Sequence, residues 1–299
     1  MGWIVAALVS AIVLGAGWLG FSRFIWLGPE GHYFDSKGVR IHYTDEGGGD
    51  PVVLVHGFGA TGHINWRFAG VVKELAKRFR VVTMDVRGHG RSGKPAEIEA
   101  YGEAMVEDVV RLLDHLNIER AHVAGYSMGG FITLKLLTRH PERIARAAVC
   151  GFGWQRPDPS ALNVYDLLGS VFGDGVGFAA LSRFLDPASS IGPMRAAAVD
   201  LVTGALLDKR AVGALARSLG KLTVTESALR EIDVPVLSVI GSEDKSLRPG
   251  VDALVGVLRH HQITEIADGT HRTTAIKPDF RNALRDWFAA DSTGTKVSS

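Results

Sequence analysis

Continuous apolar runs, separated by segments with helical periodicity, constrain the fold of this chain more than any other feature. The runs at 51–56 (PVVLVH), 80–85 (RVVTMD) and 234–240 (VPVLSVI) are rich in β-branched residues and do not alternate in polarity. Such runs are typical of strands buried on both faces of a sheet. Residues 103–116 instead carry apolar side chains at helical spacing. Strands alternating with helices predict an α/β fold built on a doubly wound, mostly parallel sheet.

The same two patterns predict the remaining elements. Short strands are expected at 31–36, 39–44, 122–125, 146–150 and 262–267. Helices are expected at 71–78, at 251–259, at 278–290 and in a segment that ends at 139. Residues 154–229 break the alternation, because they lack a strong strand and are rich in Ala, Leu and Gly at helical spacing. We therefore expect a core of 31–153 and 230–290, an inserted helical cap at 154–229 and a disordered tail at 291–299.

Residues 3–21 carry no charged side chain, and Ser10 is their only clearly polar residue. A helix needs roughly 20 such residues to cross a bilayer, so residues 1–28 are predicted to form a single N-terminal hydrophobic helix that anchors the protein in a membrane. One alternative is a cleaved signal that leaves a secreted or periplasmic protein, although Met1 and Gly2 supply no basic residue. The other is a core or partner-binding helix. Arg23 favours a cytoplasmic body.

Charge and cysteine content narrow the function classes. The chain has 33 Lys and Arg against 32 Asp and Glu, a formal net charge of +1, which gives no electrostatic reason to expect nucleic acid as a partner. Cys150 is the only cysteine, so neither an intramolecular disulfide nor a cysteine-based zinc site can form. A small-molecule substrate is the partner to expect.

The pentapeptide Gly125-Tyr-Ser-Met-Gly129 matches G-x-S-x-G, and it follows a predicted strand and precedes a predicted helix. In that context the serine occupies a sharp, strained turn, and small residues on either side are needed because side chains there would collide with backbone. The pattern predicts Ser127 as a nucleophile at the edge of the sheet. A chance match in a chain with 36 glycines is the alternative.

A serine nucleophile needs a base and a carboxylate that orients it. His271 is the best base, because Ala267-Asp-Gly-Thr-His271 follows the last predicted strand, whereas His140, His260 and His261 lie at helix ends. Gly241-Ser-Glu-Asp244 follows the preceding strand, so Asp244 is the predicted carboxylate and the adjacent Glu243 is the alternative. The order Ser127, Asp244, His271 is the one expected on this kind of sheet.

Charge that develops on a substrate oxygen needs donors already in place. His56-Gly-Phe-Gly59 follows the strand at 51–56, and its Phe58 amide is one predicted oxyanion donor. The Met128 amide at the start of a helix is the other. His56 itself is interpreted as structural.

Five motifs together resemble the α/β-hydrolase fold superfamily over residues 31–290: His56-Gly-Phe-Gly59, Asp85-Val-Arg-Gly-His-Gly-Arg-Ser92, Gly125-Tyr-Ser-Met-Gly-Gly130, Gly241-Ser-Glu-Asp244 and Gly269-Thr-His271. The second motif is similar to that of esterases, enol-lactonases, carbon–carbon bond hydrolases and cofactor-free haloperoxidases, and Arg87 and Asp85 are expected to pack loops near the site. Gly-Thr-His departs from the Gly-His of many relatives. The extra residue implies a slightly different position for the loop that carries the base, His271. Serine at position 127 argues against the dehalogenase branch, whose nucleophile is aspartate.

The resemblance implies a serine hydrolase that cleaves a carboxylic ester through an acyl-enzyme, with no cofactor and no metal. An apolar cap, to which Phe152, Trp154, Leu167, Leu168, Phe172, Phe178 and Phe184 contribute, suggests a hydrophobic or lipid-like substrate, although such residues at helical spacing mostly pack a cap onto its body. Carbon–carbon bond hydrolysis, lactone hydrolysis and peracid formation on the same three residues are the alternatives. The non-enzymatic alternative is a membrane-tethered binding or scaffold module.

Overall fold

A computed structural model describes residues 26–155 and 192–290 of the chain. Eight strands form one sheet: β1 (His32–Ser36), β2 (Val39–Gly47), β3 (Pro51–Val55), β4 (Arg80–Met84), β5 (Ala121–Tyr126), β6 (Ile144–Cys150), β7 (Val236–Gly241) and β8 (His261–Ile266). Their spatial order is β1-β2-β4-β3-β5-β6-β7-β8. The first two strands are antiparallel to their neighbours, and all pairs from β4 onward are parallel. The predicted mostly parallel α/β sheet is confirmed.

Helices cover both faces of this sheet. They are α1 (Val71–Leu75), α2 (Glu103–His115), α3 (Met128–Arg139), α4 (Pro193–Leu206), α5 (Lys209–Ser218), α6 (Glu226–Arg230), α7 (Arg248–Asp252) and α8 (Pro278–Ala289). One apolar cluster joins α2, α3 and α5 to one face, and a second joins α1 and α8 to the other. Both faces of each central strand are thereby buried, which explains why the strand sequences are continuously apolar.

The carboxyl ends of the parallel strands position the site, since β3, β5, β7 and β8 all run in the same direction. The loops after these four strands contain Gly57, Ser127, Asp244 and His271, and they meet at one edge of the sheet. Ligand sites of open α/β sheets lie at this edge.

One predicted helix is wrong. Residues 251–259 were expected to be helical, but the helix here is Arg248–Asp252 and turns follow it. Pro249 starts the helix earlier, at a position where its missing N–H costs nothing. Gly256 has φ of +72°, which is outside the helical region and interrupts the predicted periodicity. The predicted helix at 71–78 is also shorter, ending at Leu75.

The described part of the segment between β6 and β7 is helical, comprising α4, α5 and α6. Residues 1–25 of the predicted N-terminal hydrophobic helix and the tail at 291–299 lie outside the described residues. So do Leu167, Leu168, Phe172, Phe178 and Phe184 of the predicted cap. Within 26–155 and 192–290, no helix is long and apolar enough to cross a membrane.

Candidate active site

Ser127 lies in a strained turn between β5 and α3. Its φ is +51° and its ψ is −112°, a conformation that L-residues adopt rarely and at a cost of about 1–3 kcal/mol. The flanking glycines make the turn feasible: a Cβ on Gly129 would lie 2.1 Å from Val55 O, and one on Gly125 would lie 2.0 Å from Gly129 O. The glycines of G-x-S-x-G are therefore required by backbone contact.

His271 contacts the serine from the loop after β8. Its Nε2 lies 3.1 Å from Ser127 Oγ, and its Nδ1 lies 2.9 Å from Asp244 Oδ2. His271 is 6% exposed and Asp244 is 1% exposed, whereas Ser127 is half-buried and can be reached from solvent. The three predicted side chains thus form one hydrogen-bonded chain from a buried carboxylate to an accessible hydroxyl.

The other carboxylate and histidine side chains near these positions in the sequence lie elsewhere in the structure. Glu243 is exposed, and Lys245 Nζ lies 3.3 Å from its carboxylate. His140 and His260 lie within hydrogen-bonding distance of Glu107 and Asp233, and His261 lies 2.8 Å from Ser238 Oγ. None of these side chains contacts Ser127.

The loop that holds His271 contains the unusual Gly-Thr-His sequence. Thr270 N donates to Thr273 Oγ1 (2.9 Å), and Thr274 Oγ1 donates to Thr270 O (2.8 Å). Gly269 packs on the end of β7, because a Cβ on Gly241 would lie 2.1 Å from Gly269 O. Thr270 is therefore accommodated in a hydrogen-bonded turn, and His271 still reaches both of its partners.

The loop after β3 lies against the serine. A Cβ on Gly57 would come within 3.3 Å of Ser127 Cβ, and Gly57 N donates to Asn65 Oδ1 (2.9 Å). Phe58, the predicted source of one donor, follows directly and is partly buried. Met128, the predicted source of the other, is the first residue of α3. Phe58 thus follows the residue that contacts Ser127, and Met128 follows Ser127 itself, at an edge where helix N-termini favour negative charge.

Tyr126 contacts the loop of the candidate base, and the sequence does not predict this contact. Its hydroxyl donates to His271 O (2.6 Å), and its ring lies 5.6 Å from the imidazole. Burial raises the pKa of Tyr126 well above its usual value, so the hydroxyl remains a donor. A buried tyrosine needs a partner for its hydroxyl, but nothing in the sequence says which carbonyl it finds.

Residues of the DVRGHGRS block pack the loops around the site, as the sequence predicts for Asp85 and Arg87. Asp85 accepts from Gly62 N and Arg91 N (both 2.9 Å). Arg87 is buried and pairs with Asp108 through Nε (2.6 Å) and a second guanidinium nitrogen (2.5 Å). A buried pair of this kind is costly to break, because removing one partner leaves an uncompensated charge.

Phe152 and Trp154 belong to the apolar core. Each is 3% exposed, and the Phe152 ring lies 3.7 Å from that of Phe131. Trp154 Nε1 donates to Val224 O (2.9 Å). Phe152 therefore packs on α3, and Trp154 bonds the segment between α5 and α6.

A family model described as the α/β-hydrolase fold matches residues 50–271, more than half of the chain. The chain belongs to the α/β-hydrolase family. It is 37% identical over 161 residues to a 2-hydroxymuconate semialdehyde hydrolase from a Pseudomonas species, a match that covers 53% of this chain and 54% of that protein. It is 40% identical over 115 residues to a putative carbamate hydrolase from a Caulobacter species, covering 38% of this chain and 41% of that protein. The chain thus spans about half, or less, of the length of these curated relatives.

Solved α/β-hydrolases share the architecture over nearly all of their length. A 2-hydroxy-6-oxo-6-phenylhexa-2,4-dienoate hydrolase from a Rhodococcus species has a TM-score of 0.69 and 25% identity, covering 86% of this chain and 98% of that one. An enol-lactonase from Burkholderia xenovorans has a TM-score of 0.70 and 24% identity, covering 86% and 100%. The likeness to the enol-lactonase, at 24% identity, shows the fold alone. The chain is therefore an α/β-hydrolase whose relatives act on several kinds of bond.

Proposed function

We propose that this α/β-hydrolase is a serine hydrolase that cleaves a carboxylic ester through an acyl-enzyme. The observation that supports this proposal is the contact of His271 with both Ser127 Oγ (3.1 Å) and Asp244 Oδ2 (2.9 Å). A hydroxyl is a weak nucleophile until a neighbouring base takes its proton, and an imidazole in the correct tautomer needs a group that holds it there. The hydrogen-bonded series Asp244–His271–Ser127 meets both requirements.

In the proposed reaction, Ser127 Oγ bonds to the ester carbonyl carbon while His271 Nε2 accepts the hydroxyl proton. The carbonyl oxygen becomes an oxyanion, which the Phe58 and Met128 amides stabilise. When the ester C–O bond breaks, the proton on His271 passes to the leaving alkoxide and an alcohol departs. Water then attacks the acyl-enzyme, again giving a proton to His271, and the acid leaves as Ser127 recovers its proton.

The test is hydrolysis of p-nitrophenyl esters of graded chain length, with Ser127→Ala as control. We expect turnover that rises with acyl length if the helices between β6 and β7 provide an apolar pocket. Unchanged turnover in Ser127→Ala would reject the assignment, whatever the chain length.

Carbon–carbon bond hydrolysis is the second candidate, because the Pseudomonas relative at 37% identity is a 2-hydroxymuconate semialdehyde hydrolase. The same three side chains would serve, with a carbon rather than an oxygen leaving group. Incubation with 2-hydroxymuconate semialdehyde distinguishes ester hydrolysis from carbon–carbon bond hydrolysis. Turnover is measured as the decrease in the absorbance of this compound. Faster Ser127-dependent turnover of this compound than of every ester would favour the second.

A non-catalytic binding or scaffold module is the alternative from a different class. Reaction with a fluorophosphonate probe separates it from the enzyme, because the probe labels an activated serine. Labelling that disappears in Ser127→Ala supports the hydrolase, and absence of labelling in the wild-type protein supports the scaffold.

We also propose a membrane location through residues 3–21, based on their lack of charged side chains. The full chain should then remain with membranes under alkaline extraction. Leu8→Asp with Val13→Asp should release it, since each acidic residue at the centre of a membrane helix costs about 2.5–3.5 kcal/mol. Recovery of the wild-type protein in the soluble fraction would contradict this location.

A further inference from the structure

The turn after β3 is held by two buried imidazoles, His56 and His89. Ala60 N donates to Gly57 O (3.2 Å), so Phe58 and Gly59 are the central residues of this turn. Gly59 has φ of +65°, a conformation that glycine adopts at little cost. The Phe58 amide belongs to the first peptide of the turn, so its direction depends on whatever holds these peptide groups.

His56 holds the first peptide. Its Nε2 lies 2.9 Å from the amide of Val86, which can only donate, so the ring proton must be on Nδ1. Nδ1 then donates to Gly57 O at 2.8 Å. In a trans peptide the C=O and N–H point in opposite directions, so a fixed Gly57 carbonyl also fixes the Phe58 N–H.

His89 holds the second peptide. Its Nε2 accepts from Gly59 N (3.0 Å), and its Nδ1 faces Arg87 O at 3.4 Å. The ring is fully buried, with ring-centroid distances of 5.2 Å to His56 and 5.7 Å to Phe58. Without His89, the Gly59 amide would lose its buried acceptor.

We propose that His89 is a positioning residue for the Phe58 amide: by accepting from Gly59 it keeps the turn in the conformation in which His56 orients the Phe58 N–H toward the oxyanion. This inference rests on the proposed function, because it assigns His89 a part in the chemical step. The DVRGHGRS block then contributes to rate as well as to loop packing.

The role requires neutral imidazoles, since a protonated His89 would direct an N–H at the Gly59 N–H. Burial lowers the pKa of His89 to about 3, and it also lowers the pKa of His56. Besides His56, the ionisable side chains that influence His89 are Asp85 and Lys94. The acceptor is therefore present throughout the ordinary pH range.

The test compares His89→Met with His89→Gln in Ser127-dependent hydrolysis of p-nitrophenyl esters. Met has similar length and no strong acceptor, whereas the Gln carbonyl can accept from Gly59. We expect His89→Met to lower kcat by about 10- to 100-fold, below the effect of losing an oxyanion donor outright. KM should change little, and affinity for a boronic acid that mimics the tetrahedral intermediate should fall with kcat, because the effect is confined to the transition state. His89→Gln should recover most of both.

His122→Met is the matched control. His122 is also a buried imidazole, but it packs against Phe79 and Phe288 on the other face of the sheet. This substitution should lower the melting temperature while leaving kcat and KM unchanged.

Two results would overturn the inference: a folded His89→Met with wild-type kcat, or equal losses of kcat in the Met and Gln variants. If His89→Met does not fold, nitrogen NMR of the wild-type histidines decides, because an imidazolium or an Nε2–H tautomer at His89 near neutral pH contradicts the role. Failure of the proposed function looks different: the wild-type protein would then show no Ser127-dependent hydrolysis and no fluorophosphonate labelling.

Discussion

Two serine–histidine pairs in this protein have similar hydrogen-bond lengths and very different surroundings. Ser127 Oγ lies 3.1 Å from His271 Nε2, and Ser238 Oγ lies 2.8 Å from His261 Nε2. The first pair lies in loops at the carboxyl ends of β5 and β8. The second lies within the sheet, because Ser238 is the third residue of β7 and His261 the first of β8.

The difference shows that contact between a hydroxyl and an imidazole does not by itself make a nucleophile. His271 has Asp244 on its far side, whereas no carboxylate of the described residues hydrogen-bonds to His261. Burial lowers the pKa of His261, which disfavours the imidazolium that proton transfer would create. Ser127 is half-buried in a strained turn, and Ser238 is fully buried in a regular strand. The two pairs therefore differ in two ways: whether a carboxylate hydrogen-bonds to the histidine, and how deeply the serine is buried.

Replacing each serine gives the largest expected contrast. Ser127→Ala should lower kcat/KM for p-nitrophenyl esters by about 10⁴-fold or more, since a serine hydrolase without its nucleophile retains only binding and oxyanion stabilisation. Ser238→Ala should leave kcat/KM unchanged and alter only the melting temperature. Comparable losses in both variants would show that the two pairs do not differ as described.

Substitutions at Glu243 and Asp244 test which carboxylate orients the His271 imidazole. Asp244→Asn should lower kcat by about 10³- to 10⁴-fold, because the amide neither holds the required tautomer nor stabilises the imidazolium. Glu243→Gln, which changes the neighbouring exposed carboxylate, should have no effect beyond a lost surface ion pair worth under about 1 kcal/mol. A larger kcat loss in Glu243→Gln than in Asp244→Asn would exchange their roles.

The sheet and the contacts of Ser127 could be predicted because each has a local signature. Continuous apolar runs identify buried strands, and G-x-S-x-G identifies a turn in which Gly125 and Gly129 contact backbone. Chain order then supplies His271 and Asp244. All of these arguments use short stretches of sequence or the direction of parallel strands.

Asp85 and Arg87 were expected to pack loops near the site, but the roles of Tyr126 and His89 could not be predicted, because their contacts join distant parts of the chain. Tyr126 bonds a carbonyl 145 residues away, and His89 accepts from an amide 30 residues away. The helix expected at 251–259 failed for a different, local reason: its apolar spacing is helical, but the backbone of Gly256 is not. Apolar periodicity records neither long-range contacts nor the conformation of a single glycine.

A third type of imidazole extends the comparison, since His89 bonds backbone on both sides and contacts neither serine. Its folded-state pKa of about 3 lies below the ordinary value of 6.5, so between these values the unfolded chain binds more protons. Stability should therefore be complete above pH ~6.5 and fall as the pH is lowered, by about 2 kcal/mol at pH ~5 from this group alone. Urea unfolding at pH ~6.5 and pH ~5 measures this decrease in the free energy of unfolding. The decrease should be smaller in His89→Gln than in the wild-type protein, and an identical decrease in both would contradict a neutral, buried His89.

The smallest expected effect concerns how the base loop is held. Tyr126→Phe removes the hydroxyl that donates to His271 O, without creating a cavity, and leaves the imidazole's own two hydrogen bonds in place. Loss of one buried hydrogen bond costs about 1 kcal/mol, so kcat/KM should fall by roughly fivefold if the loop shifts with it. Tyr43→Phe is the matched control, because Tyr43 OH bonds His115 Nε2 (3.2 Å) away from the site and should affect stability only. Equal activity in the two variants would mean that Asp244 alone orients His271 and that Tyr126 serves packing, which would make the carboxylate the full distinction between the two serine–histidine pairs.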